Sequence, residues 1–431
     1  MTSPLAQPLT LPCGAVIPNR LCKSAMTEGL ADPYDRPTEQ HNTLYRTWSH
    51  GGTGLHITGN VMVDRRYLER AGNVVLEDDS ALDAFKAWAQ AGQVAGNHLW
   101  MQISHPGRQC ATLVNSQPVS PSDVQLHIMG MFSKPRALRQ QEIDDIIQRY
   151  ATTAALAKQA GFSGVQVHAA HGYLISQFLS PKTNLRKDQW GGSLENRARF
   201  ARSVVQAVRK AVGPEFPIGV KLNSADFQQG GFTLEECVQV ASWLSEDGID
   251  LLEISGGTYE QLSFISVDAS EVRESTRRRE AYFIEYADAI KQHAKVPLMI
   301  TGGFRSREVI EQVISDGEVD MVGLARPLCT DADVSQKLIN AEVDYIDDYE
   351  YKLKLGDGFW GNNSPLGLIK SMNSVGQISF YYQNIIRLAN NQPPITDSLK
   401  VAPLFFRHLY NDTCLNLKRN KAQNKTLISK D

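Results

Sequence analysis

The most constraining feature of the chain is an alternation. Short apolar runs are separated by longer stretches whose apolar residues recur at helical spacing. The strand-like runs lie at 20–26 ("RLCKSAM"), 54–63 ("GLHITGNVMV"), 97–104 ("NHLWMQIS") and 163–169 ("SGVQVHA"). They continue at 217–223 ("PIGVKLN"), 249–255 ("IDLLEIS"), 296–302 ("VPLMITG") and 319–325 ("VDMVGLA"). Helical patterns occupy 80–95, 139–160, 194–212, 233–246 and 281–293, with Ser80, Arg139 to Glu142, Thr233 and Arg279-Glu280 as starting signals. Eight strand–helix repeats predict a parallel sheet, and eight closes an α/β fold of the (β/α)8 TIM barrel type. A doubly wound open sheet is the competing architecture. It would carry G-x-G-x-x-G after its first strand, and that fingerprint is missing.

Size and charge narrow the function. The 431 residues, 42% of them hydrophobic, can bury one large barrel or two ordinary domains. A formal net charge of −3 gives no global attraction to nucleic acid or to an anionic membrane. No window approaches the ~18 consecutive apolar residues of a membrane span. The start, "MTSPLAQPLTLPCGAVIPNR", lacks the basic and apolar regions of a secretory signal. The six cysteines, at 13, 22, 110, 237, 329 and 414, form no close pair, which argues against a zinc or iron–sulfur site and for reduced thiols. The expectation is a cytoplasmic protein acting on a small molecule, with a homo-oligomer left open.

The repeat stops near 340, so the chain divides into a barrel over 1–340 and an extension over 341–431. In the extension, "SPLGLIKSMNSVGQISFYYQNIIRLANN" reads as one helix or two short ones packed on the barrel's outside, with a cap or dimer element as the alternative. "NQPPITD" breaks it, and the basic tail after Leu417 reads as a solvated or disordered end.

Strand side chains alternate between faces. Leu99, Met101 and Ile103 oppose Trp100, Gln102 and Ser104. Val165 and Val167 oppose Gln166 and His168, and Ile218, Val220 and Leu222 oppose Gly219, Lys221 and Asn223. His56, Thr58 and Asn60 share a phase, and Glu253 falls in the phase of Leu251. With the apolar phase under the helices, Asn60, Gln102, His168 and Lys221 converge on the barrel mouth. Together they would be unsatisfied there without a polar ligand. Two strand–helix loops, about 104–138 and 169–193, are long enough to be functional and belong to the same face. At the ends of strands seven and eight, Gly302, Gly303 and Gly323 permit close backbone approach. Arg326 adds a charge, the usual make-up of a barrel phosphate corner. On residues alone, His168 and His171 could also be zinc ligands, or Lys221 the Schiff-base lysine of an aldolase.

"VHAAHGYLISQFLSPKTNLRKDQWGGSLENRARF" (167–200) resembles the signature of the old yellow enzyme family of FMN-dependent oxidoreductases. "PNRLCKSAMT" (18–27), "MQISHPGRQ" (101–109), "TGGFRS" and "VGLARPL" resemble its other strand-end motifs, in order, over residues 5–340. The His-x-x-His form is similar to bacterial thermophilic-like members and to the barrel part of dienoyl-CoA reductases. The resemblance implies FMN as cofactor and NADH or NADPH as reductant. It implies that Ala25, Met26 and Thr27 line the flavin, Asn60 lies at its edge, Gln102 binds its pyrimidine part and Lys221 sits by its N1 edge. Gly302, Gly303, Gly323 and Arg326 would hold the phosphate. His168 and His171 would donate hydrogen bonds to a carbonyl or nitro oxygen, and Tyr173 would protonate the α-carbon of an activated alkene after hydride reaches the β-carbon. A flavin-binding barrel without such turnover is the alternative. Lys221 stands where many relatives carry arginine, Thr27 where thermophilic-like members carry cysteine, and Gly29 where those often carry tyrosine. The extension has no cysteine cluster, so no iron–sulfur supply of electrons is expected from this chain.

Overall fold

The computed structural model describes residues 3–127, 130–226, 228–255, 286–397 and 400–428. The expected closed barrel is present. Its strands are β1 (Leu21–Lys23), β2 (Leu55–Met62), β3 (His98–Ser104), β4 (Gly164–Ala169), β5 (Ile218–Asn223), β6 (Leu251–Ser255), β7 (Leu298–Thr301) and β8 (Met321–Leu324). Each strand pairs in parallel with its sequence neighbours, and β8 closes onto β1. The surrounding helices include α1 (Glu39–His50), α2 (Leu82–Ala91), α3 (Gln140–Gln159), α4 (Leu174–Leu179), α5 (Leu194–Val212), α6 (Leu234–Glu246) and α7 (Arg307–Ser315).

Two apolar clusters organise the barrel. Outward-facing Leu99, Met101, Ile103, Val165, Val167, Ile218, Val220 and Leu222 belong to the large core beneath the helices. A second cluster fills the barrel's own interior: Cys22, Leu55, Ile57, Trp100, Leu251, Met299 and Met321. Leu9, Leu11 and Ile17 join this inner cluster from a short antiparallel ribbon, Leu9–Thr10 against Val16–Ile17, which plugs the N-terminal end. The polar residues of the same strands therefore stand above an apolar floor.

Strand β2 departs from simple alternation. Its pairing with β3 shifts between Ile57 and Asn60, the signature of a bulge. Leu55 and Ile57 face the barrel interior, while the His56 ring approaches Asn97. His56 and Asn60 thus do not share a face, contrary to the alternation reading.

The helix starts follow local chemistry. Thr233 and Glu236 form a reciprocal capping box on α6, and Arg139 precedes α3 with Glu142 accepting its backbone N–H. Helix α2 begins one residue later than a Ser80 cap would give: Ala81 holds the cap position without a side-chain cap bond, and Ser80 lies in the turn before it, its N–H donating to Asp78. The start predicted at Arg279-Glu280 lies outside the described residues.

Beyond the barrel, α8 (Gly367–Leu388) packs against α1, the one-turn helix Pro327–Thr330 and α9 (Val401–Ile428). The described part of the basic tail, 418–428, continues α9 as helix, with Lys418 and Lys421 exposed as expected of a solvated end but Arg419 turned inward. Arg419, buried there, donates from Nε and Nη2 to the two carboxylate oxygens of buried Asp35 at 2.8 and 3.1 Å. A bidentate pair between a distant loop and the tail gives the last helix its tertiary anchor. Among the described residues, no helix is long and apolar enough to cross a membrane.

Candidate active site

The chain leaves β4 at Ala169 and turns sharply. His171 has φ 59° and Gly172 φ 75°, so a non-glycine residue is held in the left-handed region, a costly conformation that persists where surroundings enforce it. The enforcement is visible. The His171 N–H donates to Asn223 Oδ1 at 3.0 Å, and its Nε2 lies 2.9 Å from Ser255 Oγ. Tyr173 is the cap residue of α4, so the turn delivers its ring back over the strand ends. The His168 and His171 rings stand edge-to-face at 5.3 Å between centroids, and His168 and Tyr173 at 4.8 Å.

Burial sets the protonation of this cluster. The His168 imidazole is held well below its ordinary pKa, first by burial and then by the charges of His171 and Lys221. His171 is pushed down to about 3 by the same two effects, burial and the Lys221 charge. Both rings are neutral at physiological pH. The Ala170 N–H donates to His168 Nδ1 at 3.3 Å, which assigns the ring proton to Nε2. A neutral imidazole in that tautomer is a hydrogen-bond donor that brings no net charge.

Below the rings runs a buried polar row across four adjacent strands. Gln102 Nε2 donates to Gln166 Oε1 at 2.8 Å, and Gln166 Nε2 donates to Glu253 Oε2 at 2.6 Å. Lys221 Nζ sits 2.8 Å from Glu253 Oε1. Strand register explains the row: Gln102 is opposite Gln166 across β3–β4, and Lys221 opposite Glu253 across β5–β6. Glu253 and Gln166 are fully buried. Glu253 was not singled out from sequence because it shares the phase of Leu251. That phase in fact faces the barrel interior, where Leu251 is part of the apolar floor.

The opposite rim carries Ala25, Met26 and Thr27, all partly buried on the segment after β1. Thr27 Oγ1 lies 3.0 Å from Asn60 Oδ1 and 3.0 Å from Glu69 Oε2, and Asn60 Nδ2 donates to Glu69 at 2.8 Å. Met26 Sδ is 3.5 Å from the Cys329 thiol, which ties this segment to the start of the helix after β8. Glu69 was another omission, for it sits in a loop without strand periodicity.

At the glycine corner, Gly302 and Gly303 adopt φ 122° and 81°, conformations that favour glycine. Gly323 also answers a demand of the fold itself. A Cβ there would lie 2.0 Å from Thr301 Oγ1 and 2.3 Å from Ser24 Oγ, so the protein's own hydroxyls fill its space. Arg326 pairs with Glu350 of the segment following the barrel, and its guanidinium lies 5.9 Å from the Tyr381 ring centroid.

These residues fit a flavin mononucleotide. Two left-handed glycines and an arginine suit a phosphate, and a buried lysine and glutamine amide suit the polar edge of a flavin ring. The buried Asn223 Nδ2, beside the His171 backbone, meets no hydrogen-bond partner. An orphaned buried donor at the mouth is what a bound polar ligand would relieve.

A closed (β/α)8 barrel whose mouth joins this donor set to a His–His–Tyr turn defines an α/β-barrel flavin oxidoreductase. The comparisons make the assignment specific. Residues 4–343 match the NADH:flavin oxidoreductase / NADH oxidase family, and the chain belongs to it. It is 39% identical over 344 residues to the NADH-dependent flavin oxidoreductase iliE of Hypocrea jecorina (strain QM6a), covering 74% of this chain and 85% of that one. Its structure is similar to the old yellow enzyme homologue from Zymomonas mobilis, with TM-score 0.67 and 25% identity over 84% of this chain and 99% of that one. It is also similar to morphinone reductase in complex with tetrahydroNAD, with TM-score 0.66 and 26% identity over 80% and 92% of the two chains. The protein is an FMN-dependent NAD(P)H oxidoreductase of the old yellow enzyme type.

Proposed function

We propose that this enzyme reduces the activated C=C bond of an enone, enoate or similar electrophile, with Tyr173 as the proton donor. FMN, when bound, would supply the two-electron hydride chemistry that links NAD(P)H oxidation to alkene reduction. Ala25, Met26, Thr27, Asn60, Gln102 and Lys221 would hold its ring, and Gly302, Gly303, Gly323 and Arg326 its phosphate. His168 and His171 hold the substrate oxygen by hydrogen bonds from neutral imidazoles, which draws electron density from the β-carbon without introducing a cation. Tyr173 keeps a proton beside that position for the α-carbon; a phenolic O–H suits a strongly basic enolate-like carbon. In this reading residues 1–340 are the catalytic barrel and 341–431 an appended extension.

The observation that carries the proposal is the clustering of three rings at the end of β4 and on the strained turn that follows it, His168 and Tyr173 buried and His171 partly so, with centroids 4.8 and 5.3 Å apart and both imidazoles held neutral. Lys221 is engaged by a carboxylate at 2.8 Å, the arrangement of a counter-charge rather than of a Schiff-base amine. The test is anaerobic. FMN-loaded enzyme is reduced with NADH or NADPH and then mixed with enones, enoates, nitroalkenes and enoyl thioesters. Alkene-dependent reoxidation with a saturated product is expected; a flavin that stays reduced with every member of the panel would refute the proposal.

A further inference from the structure

The row Gln102–Gln166–Glu253–Lys221 contains one residue that neither the fold nor the donor set for the flavin requires. Glu253 is fully buried on β6, one strand beyond Lys221. Both of its oxygens are engaged: Oε1 with the Lys221 ammonium at 2.8 Å, Oε2 with the Gln166 amide at 2.6 Å. A carboxylate can only accept. It therefore fixes the direction of the row: Gln166 must turn its Nε2 toward Glu253, which leaves Gln166 Oε1 to accept from Gln102 Nε2 at 2.8 Å. Gln102 in turn has spent one amide N–H, and its Oε1 is left to meet a donor.

The electrostatic consequence is as specific as the geometric one. A lone buried lysine beside a flavin would favour the anionic, reduced ring. A lysine whose counter-ion lies 2.8 Å away presents a nearly neutral pair instead. Charges several ångströms apart in a buried site interact by kilocalories, enough for order-of-magnitude effects. Resting on the placement of the flavin given under Proposed function, we infer that Glu253 is the positioning residue of the cofactor's polar edge. It holds Lys221 and Gln102 in their donor and acceptor orientations, and it cancels the charge of Lys221, keeping the flavin a weak oxidant.

The test reads the flavin directly. Sulfite adds to the oxidised ring and leaves negative charge at its N1 edge, so sulfite affinity and midpoint potential both report the field there. In holoenzyme, Glu253→Gln is expected to tighten sulfite binding about tenfold or more and raise the midpoint potential, while Lys221→Met weakens sulfite binding by a similar factor. The double variant Lys221→Met/Glu253→Gln, which removes the charges together and so avoids an unpaired buried ion, is expected to return within about threefold of the parent. If the double variant instead matches Lys221→Met, Glu253 does not act on the flavin and this inference fails, while the placement of Lys221 stands. If none of the three variants moves sulfite affinity or potential, Lys221 is not beside the flavin, and the underlying placement fails with it. A merely structural Glu253 would change stability and leave both readouts at the parent's values.

Discussion

The barrel interior has two storeys built by the same strands. The lower holds Cys22, Leu55, Ile57, Trp100, Leu251, Met299 and Met321, packed as an apolar plug. The upper, two residues further along several of those strands, holds Gln102, Lys221 and Glu253 with Gln166 beside them. Trp100 and Gln102 lie on one strand, as do Leu251 and Glu253, so an inward side chain is apolar or polar according to height alone. The lower storey contributes stability and a flat, dry base. The upper one places buried charge and amide groups where only a polar ligand makes their position useful. A fold that buries an ion pair and two amides in its own axis is giving up apolar packing at the level where the site begins.

The comparison can be broken from either side. Trp100 is the largest element of the plug, and β4 and β5 make room for it with glycines: a Cβ on Gly164 would lie 2.5 Å from its ring nitrogen, and one on Gly219 3.0 Å from the ring edge. Trp100→Ala is expected to cost about 3–5 kcal/mol in urea unfolding while the turn of His168, His171 and Tyr173 keeps its chemistry in the folded fraction. Lys221→Met strands the Glu253 carboxylate and is expected to cost at least about 3 kcal/mol, much of it regained in the double variant with Glu253→Gln, because the pair is costlier to break than to replace. A plug substitution has no such rescue by a second change in the upper storey.

At the mouth the effects become chemical. His168→Ala combined with His171→Ala is expected to weaken phenolate or phenol ligands by about 10–100-fold, read from loss of their long-wavelength charge-transfer band in a titration, since hydrogen bonds to a charged oxygen contribute about 1.5–3 kcal/mol. An unchanged titration would remove the pair from the oxygen site.

A further effect is one of pH, and it acts on the stability of the whole barrel. Burial lowers His171 and His56 to about 3 and His105 to about 4 in the folded protein. Unfolded histidine binds its proton below ~6.5, so acid favours the unfolded chain. The contribution of these residues is complete above pH 6.5 and is lost as pH falls toward about 4 for His105 and about 3 for His171 and His56, by up to about 1.4 kcal/mol per pH unit per histidine. Urea midpoints between pH 7 and 5 should fall accordingly, and His171→Asn should flatten part of that slope.

Much of this arrangement was legible in the sequence, and the parts that were not have physical reasons. The barrel could be read because a buried parallel sheet writes its two faces directly into alternating side chains. Gln102, His168 and Lys221 were readable by the same rule, each being the polar member of a clean alternation. Asn60 reached the mouth for a reason alternation cannot supply, since the bulge after Ile57 resets the phase of β2. Glu253 was hidden by Leu251: an apolar neighbour in phase suggests a face toward the helices, but the floor of a barrel is apolar too. The pairing of Trp100 with Gln102 on β3 was the signal that could have corrected this. Ser80 is not the cap because the helix starts one residue further on, at Leu82, which leaves Ala81 at the cap position. Within the tail, exposed Lys418 and Lys421 fit the solvated reading, whereas Arg419 departs from it because its partner Asp35 is brought near only in three dimensions.

The central claim is that Tyr173 holds the proton that completes alkene reduction, on a turn that leaves the nicotinamide step to other residues. Rapid-mixing measurement of the two half-reactions in Tyr173→Phe examines it directly. The account predicts that flavin reduction by NAD(P)H stays within about twofold of the parent, while reoxidation by an enone slows about 10²–10⁴-fold, the range of a lost general acid. Equal slowing of both half-reactions, or none in the second, would contradict it.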